Sequence, residues 1–453
     1  MEDFLDVFNT LSKKLLKEET DNPVAIPIEP NRLLEKLDLN LNAEGMEREN
    51  FLSLIENILK AAPKTSSSKF FNQLFGGRNP EAILGELLSV MFNNSMYTYK
   101  VAGPMIGIEK VIIKEVCKTI GYPDTADGTF ASGGSMTNFM SMLMARDYAD
   151  PNSRKKGVTS NLIVYTSDVS HYSILKNTIF AGLGSENIRK IKTNERGEMI
   201  PSELESQIVT DVSEGHIPCM VNGTAGTTVL GVFDPISEIA DICKKHNVWF
   251  HLDGALGGSV IFSKKYKHLI EGIEKTDSFS FNAHKMLGTP LTCSIIVTKN
   301  KKQLYESFST DATYLYQTNQ DEYNPGKISL QCGRRNDALK FWFLWKSVGT
   351  KGLEKMVDHE IFLADVARDY INKHPDYTLY SYDNSISVCF NYKKLAAPDL
   401  CTALYEKASL MVGHGSHRDD TFIRLVTINA ANSKETILDF FADLEKFVDE
   451  NLS

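Results

Sequence analysis

The chain has 453 residues, of which 42% are hydrophobic, so it can bury a large core in two or three lobes that share one active site. Its formal net charge of -9 disfavours nucleic acid and anionic membranes as partners. Seven scattered cysteines without a CxxC spacing indicate a reduced chain without a zinc site, and no apolar run reaches the roughly 20 residues of a membrane helix. We therefore expect a soluble protein in the cytoplasm.

The first hundred residues are predicted to be helical and extended. Apolar residues from Phe4 to Leu16 recur at helical spacing, which predicts an amphipathic helix over the first twenty residues. The prolines within 21–30 predict an extended linker, because each disfavours helix in the residue before it. We assign 1–100 to an N-terminal segment that packs on a partner subunit. For the first helix, packing on a partner subunit or on the main body of the protein is favoured over membrane binding.

Residues 101–340 are predicted to form a large α/β domain. Apolar, β-rich runs alternate there with helical patterns such as 204–212 and 236–245, which predicts a mostly parallel sheet covered by helices on both faces. The strand candidates are 161–167, 217–224, 248–254, 277–283 and 293–299.

The rest of the chain, 341–453, is predicted to be a smaller α+β domain. A long apolar helix follows Asp337 and is expected to end at Gly349, because glycine favours the end of a helix. Strand patterns at 385–392 and 422–429 precede a final amphipathic helix.

Two residues at the ends of predicted strands indicate a cofactor site. Lys285 follows the apolar stretch SFSFNA, and Asp253 closes the stretch VWFHLD. Pyridoxal 5'-phosphate needs one amine for a Schiff base and one carboxylate to keep its ring nitrogen protonated. Thr224 also lies at a strand end, and it could contact a cofactor oxygen or cap a turn. Ligands bind beyond the carboxyl ends of parallel strands, so one pocket could collect all three residues.

Two further segments could contact such a cofactor. The run ASGGSMTN joins a Gly-Ser turn to a helix, where free N–H groups and the hydroxyls of Ser135 and Thr137 would suit a phosphate. An ordinary helix cap would explain the same residues. His171 follows a predicted strand and could stack on the cofactor ring, or it could be a hydrogen-bonded core histidine.

The segment GHGSHRDD contains His414 and His417 beside two aspartates and could suggest a metal cluster. Its spacing matches no recognised site, so we interpret it as a solvated loop and predict no metal.

A set of segments in fixed order resembles the group II pyridoxal-phosphate amino-acid decarboxylases. The resemblance is strongest to the branch with glutamate, cysteine sulfinate and aspartate decarboxylases, and it covers about Phe70 to Phe441. The segments are FFNQLFGG, YTYKVAGP, ASGGSMTN, SHYSILK, GTAGTTVLGVFDPI, WFHLDGALGG, NAHKMLG, ATYLYQ, CGRRNDALKFWFLWKSVGTKG and FIRLVTIN.

This resemblance implies a fold-type I enzyme, usually a homodimer with active sites at the subunit interface. It implies that Lys285 is the Schiff-base lysine, Asp253 the partner of the pyridine nitrogen and His171 the ring-stacking histidine. The other implied cofactor contacts are Ala255 beneath the ring, Ser135 and the amides around Gly134 at the phosphate, Thr224 at the ring substituents, and Ser280 and His284 in accessory positions.

The resemblance also implies catalytic and substrate residues. Tyr314 matches a loop tyrosine that returns a proton to carbon after carbon dioxide leaves, and Arg424 matches an arginine that binds a substrate carboxylate. Arg424 could instead pair with an acid of the protein. Gln73 matches a substrate-pocket residue, and Phe75 resembles the cysteine sulfinate and aspartate enzymes, where the bulkier wall suits a shorter diacid.

Two positions beside the cofactor segment depart from the family. The chain has HLDGALGG where relatives read HVDAAWGG or HVDASWGG, so Gly254 and Leu256 replace larger residues. Loss of the indole is expected to open volume near the site.

The sequence therefore predicts pyridoxal-phosphate-dependent decarboxylation of a short acidic L-amino acid, with cysteine sulfinate or aspartate favoured. Glutamate decarboxylation is the first alternative. Carbon–carbon lysis or transamination with the same cofactor is the second, and a catalytically silent binding protein of the same fold is the third.

Overall fold

The computed structural model describes residues 2–310, 316, 321–407 and 410–452. The chain divides into two compact units. The central unit comprises Arg78–Phe362 and Tyr382–Ile386, and the terminal unit comprises Met1–Gly77, Leu363–Ser381 and Ser387–Ser453. The three ranges inferred from the sequence, and the packing of the first on a partner subunit, stay predictions.

The central unit contains a seven-stranded sheet in the order β1-β7-β6-β5-β4-β2-β3. Neighbours from β6 to β3 pair in parallel, whereas β7 runs antiparallel to both β6 and β1. The mostly parallel α/β sheet is thus confirmed. Its strands are β1 Asp127–Ala131, β2 Leu162–Ser167, β3 Ile188–Ile191, β4 Ile217–Thr224, β5 Trp249–Gly254, β6 Ser278–Asn282 and β7 Ser294–Thr298.

Helices surround this sheet, and the core between them is rich in methionine. Met140, Met142 and Met144 of α7 are buried together with Met220 of β4 and Trp249 of β5. The helices are α4 Pro80–Phe92, α5 Tyr99–Ala102, α6 Pro104–Ile120, α7 Gly134–Ala149, α8 Ser153–Lys156, α9 Ser173–Phe180, α10 Pro201–Ser213, α11 Ile236–His246 and α12 Lys301–Phe308.

The element α13, Asp337–Lys373, consists of two helical stretches that meet at Gly349. Gly349 has φ 66° and ψ 174°, so the helical conformation breaks there, as a glycine permits. The prediction that the first helical stretch ends at Gly349 is confirmed, and a second helical stretch follows the break.

The terminal unit contains a four-stranded antiparallel sheet in the order β10-β11-β9-β8. Its core joins both ends of the chain, since Phe71 packs on Phe440 with ring centroids 5.1 Å apart. The elements are α1 Glu2–Asp21, α2 Leu33–Lys36, α3 Arg48–Ala61, β8 Tyr377–Leu379, β9 Ser387–Tyr392, α14 Ala397–Glu406, β10 Gly413–His417, β11 Asp420–Val426 and α15 Lys434–Asn451.

The segment GHGSHRDD was predicted to be a loop, and this prediction is wrong. Residues Gly413–His417 form β10, and Arg418 turns the chain into β11 with φ 54°. The strand β10 could not be predicted from its sequence, because it alternates glycine with polar residues and has no apolar pattern. It forms because it pairs with β11.

Within the described residues, no helix has both the length and the apolar character needed to cross a bilayer.

Candidate active site

A cavity of about 230 Å³ lies in the central unit, where strands β4, β5 and β6 end. It collects Thr224, Asp253 and Lys285, which confirms that one pocket brings these three residues together. The complete lining is Gly134, Ser135, Asn138, His171, Tyr172, Thr224, Gly226, Thr228, Asp253, Ala255, Leu256, Asn282, His284 and Lys285.

Strand register places three of the predicted residues in one row across the sheet. Thr224 of β4 is the partner of Asp253 in β5, and Asp253 is the partner of Ser280 in β6. Side chains of paired residues point to the same face of a sheet. Ser280 is fully buried in this row, and Thr137 is fully buried with its hydroxyl donating to the carbonyl of Gly134 at 2.8 Å.

Asp253 is buried, with 3% of its surface exposed, and each carboxylate oxygen accepts a hydrogen bond. The Nδ2 of Asn138 donates to Oδ2 at 2.7 Å, and the backbone N–H of Ala255 donates to Oδ1 at 3.0 Å. Each carboxylate oxygen can accept a second bond. The carboxylate is therefore held in one orientation and can still accept a proton donor from a ligand in the cavity.

Lys285 lies in the short connection between β6 and the antiparallel β7. Both ends of this connection are tied together, because the N–H of Ala283 donates to the carbonyl of Cys293 at 2.9 Å. The N–H of Cys293 donates to Nδ1 of His284, also at 2.9 Å. Burial lowers the pKa of His284 to about 4, so its ring is neutral at pH 7. Lys285 thus projects from a connection that is fixed to the sheet on both sides.

His171 lies just before α9 and is held by the first residue of that helix. Its Nδ1 accepts from the N–H of Ser173 at 3.2 Å and lies 2.7 Å from the Ser173 hydroxyl. Burial lowers the pKa of His171, although the nearby Asp253 partly opposes this effect. A neutral imidazole is expected at pH 7.

The start of α7 is a glycine-dependent cradle. Gly133 has φ 112°, and a Cβ on Gly134 would lie 3.0 Å from Nδ2 of Asn282 and 3.2 Å from the Cβ of Ala255. The positive end of the helix and its unbonded first N–H groups favour an anion at this position. Asn177 fixes the turn by donating to the carbonyl of Ser135 at 2.9 Å.

Three buried polar atoms near the cavity lack a hydrogen-bond partner among the described residues: Oγ1 of Thr224, Oγ of Ser280 and Oδ1 of Asn282. Buried polar atoms normally have partners, so these suit a polar ligand. An amine, a buried carboxylate and a helix N-terminus accompany them, and this set fits the aldehyde, ring nitrogen and phosphate of pyridoxal phosphate. The fold and the site define a fold-type I pyridoxal-phosphate enzyme.

Comparison with known proteins identifies the family. Residues 30–393 match the pyridoxal-dependent decarboxylase conserved domain, and the chain belongs to this family. It is 37% identical to acidic amino acid decarboxylase GADL1 of Xenopus tropicalis, over 97% of this chain and 90% of that protein. It is 35% identical to cysteine sulfinic acid decarboxylase of Mus musculus, over 92% and 89% of the two chains. The crystal structure of mouse CSAD superposes with a TM-score of 0.94 at 33% identity, covering 98% of this chain and 97% of that one.

The predicted substrate residues lie in the terminal unit. Arg424 of β11 donates to the carbonyl of Asn72 at 3.1 Å, which brings it to the segment that carries Gln73 and Phe75. Gln73 is exposed and Phe75 is half-buried against Phe70. Burial lowers the pKa of the Arg424 guanidinium. Tyr314 lies outside the described residues.

The two departures from the family differ in their effect on volume. A Cβ on Gly254 would lie 2.6 Å from the Phe279 ring and 2.8 Å from the Ser280 carbonyl, so Gly254 leaves no free space. Leu256 lines both the active-site cavity and a neighbouring void of only about 10 Å³. Of the two departures, only Leu256 faces the cavity, and the gain of volume from the missing indole stays a prediction.

Sequence reasoning missed the polar residues behind Asp253. Asn138 lies one turn into α7, and its amide contacts both Asp253 and His251. One signal was available, because His251 precedes Asp253 by two residues and therefore shares its face of the strand. The contact of α7 with this face could not be read from local patterns.

Asp211, Glu214 and His216 are close enough to share a cation, with ligand atoms within 4.8 Å of one another. However, Asp211 is buried and already pairs with Arg189 at 2.8 Å. We interpret this group as a structural ion-pair cluster, which buried carboxylates require.

The two buried neutral histidines are expected to make the fold acid-labile. His251 and His284 have pKa values lowered to about 4 by burial, whereas an unfolded histidine titrates near about 6.5. The unfolded chain then binds more protons, so this stability is complete above about pH 6.5 and is lost as the pH falls toward about 4. Each histidine is expected to lower the free energy of unfolding by about 2 kcal/mol at pH 5.

Urea unfolding of the holoenzyme at pH 7 and pH 5, followed by circular dichroism, measures this loss. His251→Gln should reduce the difference between the two pH values, and His268→Gln, at an exposed position, should leave it unchanged. Equal pH dependence in the wild type and His251→Gln would contradict the prediction.

Proposed function

We propose that this decarboxylase acts on a short acidic L-amino acid, with cysteine sulfinate or aspartate preferred over glutamate. The observation that carries the proposal is the partly buried Arg424, which lies in an apolar strand beside the backbone of Asn72. A guanidinium in such a place favours a carboxylate or sulfinate partner. The relatives reported above, an acidic amino acid decarboxylase and a cysteine sulfinic acid decarboxylase, support the same substrate class.

We assign the cofactor contacts from the geometry of the cavity. Lys285 holds the cofactor through its amine, Asp253 accepts the ring N–H, and neutral His171 packs on the ring. The cradle of Gly134 and Ser135 binds the phosphate, and Thr137 supports it by holding the carbonyl of Gly134. The accessory contacts are Thr224, Ala255, Ser280 and His284.

The bound cofactor supplies an electron sink for the pair of electrons left when the bond to the carboxylate breaks. A buried Asp253 with fixed orientation stabilises positive charge on the ring nitrogen without reorganising. We assign the final proton transfer to carbon to Tyr314, on the basis of the family resemblance alone. Arg424 and Gln73 bind the side-chain acid, and Phe75 limits its length.

A substrate panel tests the proposal. Carbon dioxide and amine products are quantified with cysteine sulfinate, aspartate, glutamate and an aromatic amino acid. We expect kcat/KM to be highest for one of the two shorter acids. A preference for the aromatic substrate would contradict the acidic class, and amine-free aldehyde or keto-acid products would favour the lyase or transaminase alternatives.

Arg424→Met provides the residue-level test. Loss of the carboxylate partner is expected to raise KM for the acidic substrate by about 100-fold, since a charged hydrogen-bonded pair is worth about 2–5 kcal/mol. Arg418→Met, in the exposed turn of the same sheet, is the matched control and should leave KM within about twofold. An unchanged KM in Arg424→Met would reject the assigned role.

We further propose that the enzyme is a cytoplasmic homodimer. Large apolar side chains of the N-terminal region are exposed, including Phe4, Phe8, Leu34 and Leu41, and a second copy of the chain would cover them. Six of the seven free cysteines are buried thiols, which fits a reducing compartment. Sedimentation equilibrium should give twice the mass of one chain, and a monomer at working concentration would contradict the dimer.

A further inference from the structure

Asn138 stands at the centre of a buried chain of hydrogen bonds beneath the cavity. We propose that it is a positioning residue that orients both cofactor-facing side chains, Asp253 and His171, through one amide. The proposal rests on the cofactor roles assigned above to these two residues. Asn138 itself is 1% exposed, and neither the sequence pattern nor the resemblance assigned it a role.

The first branch of the chain runs from Asp253 through Asn138 to His251, and the donor of each of its hydrogen bonds can be assigned. The Nδ2 of Asn138 donates to Asp253 at 2.7 Å, and Oδ1 of the same amide therefore faces His251. The Nε2 of His251, at 3.1 Å, must then carry the proton that Oδ1 accepts. Since His251 is neutral, its Nδ1 accepts from the hydroxyl of Ser278 at 2.9 Å.

The indole of Trp249 lies at the end of this branch. Its N–H can only donate, and it points to Oγ of Ser278 at 3.1 Å and to Oγ of Ser141 at 3.2 Å. Trp249, Ser278, His251 and Asn138 are all buried. The amide of Asn138 is consequently held in one orientation by its contacts with Asp253 and His251.

The second branch reaches His171 through Ser173. The other hydrogen of Asn138 Nδ2 points to Oγ of Ser173 at 3.1 Å. Oγ then uses its own proton as donor to Nδ1 of His171 at 2.7 Å, and the N–H of Ser173 donates to the same nitrogen. His171 therefore carries its proton on Nε2 and presents an N–H, not a lone pair, on the side away from Ser173.

The Asn138 amide thus links the orientation of the Asp253 carboxylate to that of the His171 imidazole. Loss of the amide leaves the buried Asp253 short of one donor and frees its carboxylate to rotate. A buried acceptor without its donor is costly, so we expect cofactor affinity to fall about 10- to 100-fold in Asn138→Leu. The His171 ring is also expected to change its tautomer population.

Asn138→Asp separates positioning from simple packing, because aspartate has nearly the same shape. Ionised, it places a second carboxylate against Asp253, and the two repel. Once protonated, its hydroxyl restores a donor to Asp253. Cofactor affinity of Asn138→Asp is therefore expected to be weak at pH 8.5 and to recover toward the wild-type value as the pH falls to 6.

Absorbance titrations of pyridoxal phosphate into cofactor-stripped enzyme, at several pH values between 6 and 8.5, measure cofactor affinity. They test both the loss in Asn138→Leu and the pH dependence in Asn138→Asp. Ser141→Ala is the matched control, since Ser141 lies one turn further along α7 and contacts Ser278 and the Trp249 indole at the far end of the chain, away from Asp253. Its affinity should stay within about twofold of wild type. Equal loss in Ser141→Ala, or a pH-independent affinity in Asn138→Asp, would overturn the proposal.

Histidine spectra test the second branch. In enzyme labelled with ¹⁵N-histidine, the His171 signals are assigned by their absence in His171→Gln. They are expected to show the Nε2–H tautomer and to change in both Ser173→Ala and Asn138→Leu. A change in Ser173→Ala alone would overturn the link to Asn138.

Asp253→Ala distinguishes the failure of this inference from failure of the proposed site. Loss of affinity in Asp253→Ala with full affinity in Asn138→Leu would reject the role of Asn138 and keep the site. Full affinity in both variants would reject the site itself.

Discussion

Lys285→Ala is expected to lose decarboxylation by at least about 10³-fold, together with the visible absorbance of covalently held cofactor. The expected loss is large because the amine has no substitute in the connection between β6 and β7. Among the cavity-lining residues, Lys285 supplies the only lysine amine. Assays of carbon dioxide release and absorbance spectra of the purified variant measure the two losses.

Two control variants test whether the loss is specific to the Lys285 amine. Lys285→Arg keeps the charge but not a nucleophilic amine, so it should be as inactive as the alanine variant. Lys299→Ala, at a lysine that donates to the carbonyl of Glu274, should keep full activity. Added methylamine should restore part of the turnover in Lys285→Ala, which has space for it, and not in Lys285→Arg. Retained turnover and absorbance in Lys285→Ala would reject the cofactor assignment.

Asp253→Asn is expected to lower kcat by about 10²- to 10³-fold while the protein stays folded. An amide is neutral, so it no longer stabilises positive charge on the cofactor ring. Its NH₂ group would also face either the donor Nδ2 of Asn138 or the N–H of Ala255. Steady-state kinetics with saturating cofactor should show the loss mainly in kcat, because the charge acts most strongly when electrons reach the ring.

The matched control is Asp211→Asn, at another buried aspartate. Asp211 is 1% exposed and pairs with Arg189, outside the active-site lining. Its replacement is expected to cost stability, about 1–3 kcal/mol for a buried group that loses its charged hydrogen bond, with kcat unchanged. A similar fall in kcat for both variants would show that general destabilisation, and not the cofactor charge, explains the result.

The strands that bear the site were predictable because they are continuous apolar runs. The strand β4 was expected at 217–224 and is found there, with its six last residues buried. In contrast, β1 begins with Asp127 and Gly128, both poor strand formers. A Cβ on Gly128 would lie 2.4 Å from the carbonyl of Ile296, so the close approach of β7 requires glycine. The need for glycine at this position comes from the neighbouring strand β7, so the sequence around Gly128 does not reveal it.

The chemistry of the site was predictable where the type of a residue at a strand end indicated which group of a cofactor it would bind. Lys285 and Asp253 met this condition, because an amine and a carboxylate are what an aldehyde cofactor needs. Asn138 did not, since a buried amide on a helix has many possible partners. Its partners are set by the packing of α7 on β5, which is tertiary and separates the residues by 113 or more positions in sequence.

The order of the central sheet has a consequence for synthesis of the chain. Among the described strands, β1 pairs only with β7, so residues 127–131 lack their sheet partner until 294–298 have been made. At roughly 5–20 residues per second, this delay lasts roughly 10–30 seconds. The terminal unit waits longer, because Phe71 packs on Phe440 near the end of the chain. Each unit therefore completes its folding only when segments far apart in the chain have been made, and removal of the segment around Phe71 or around Phe440 takes away part of one core.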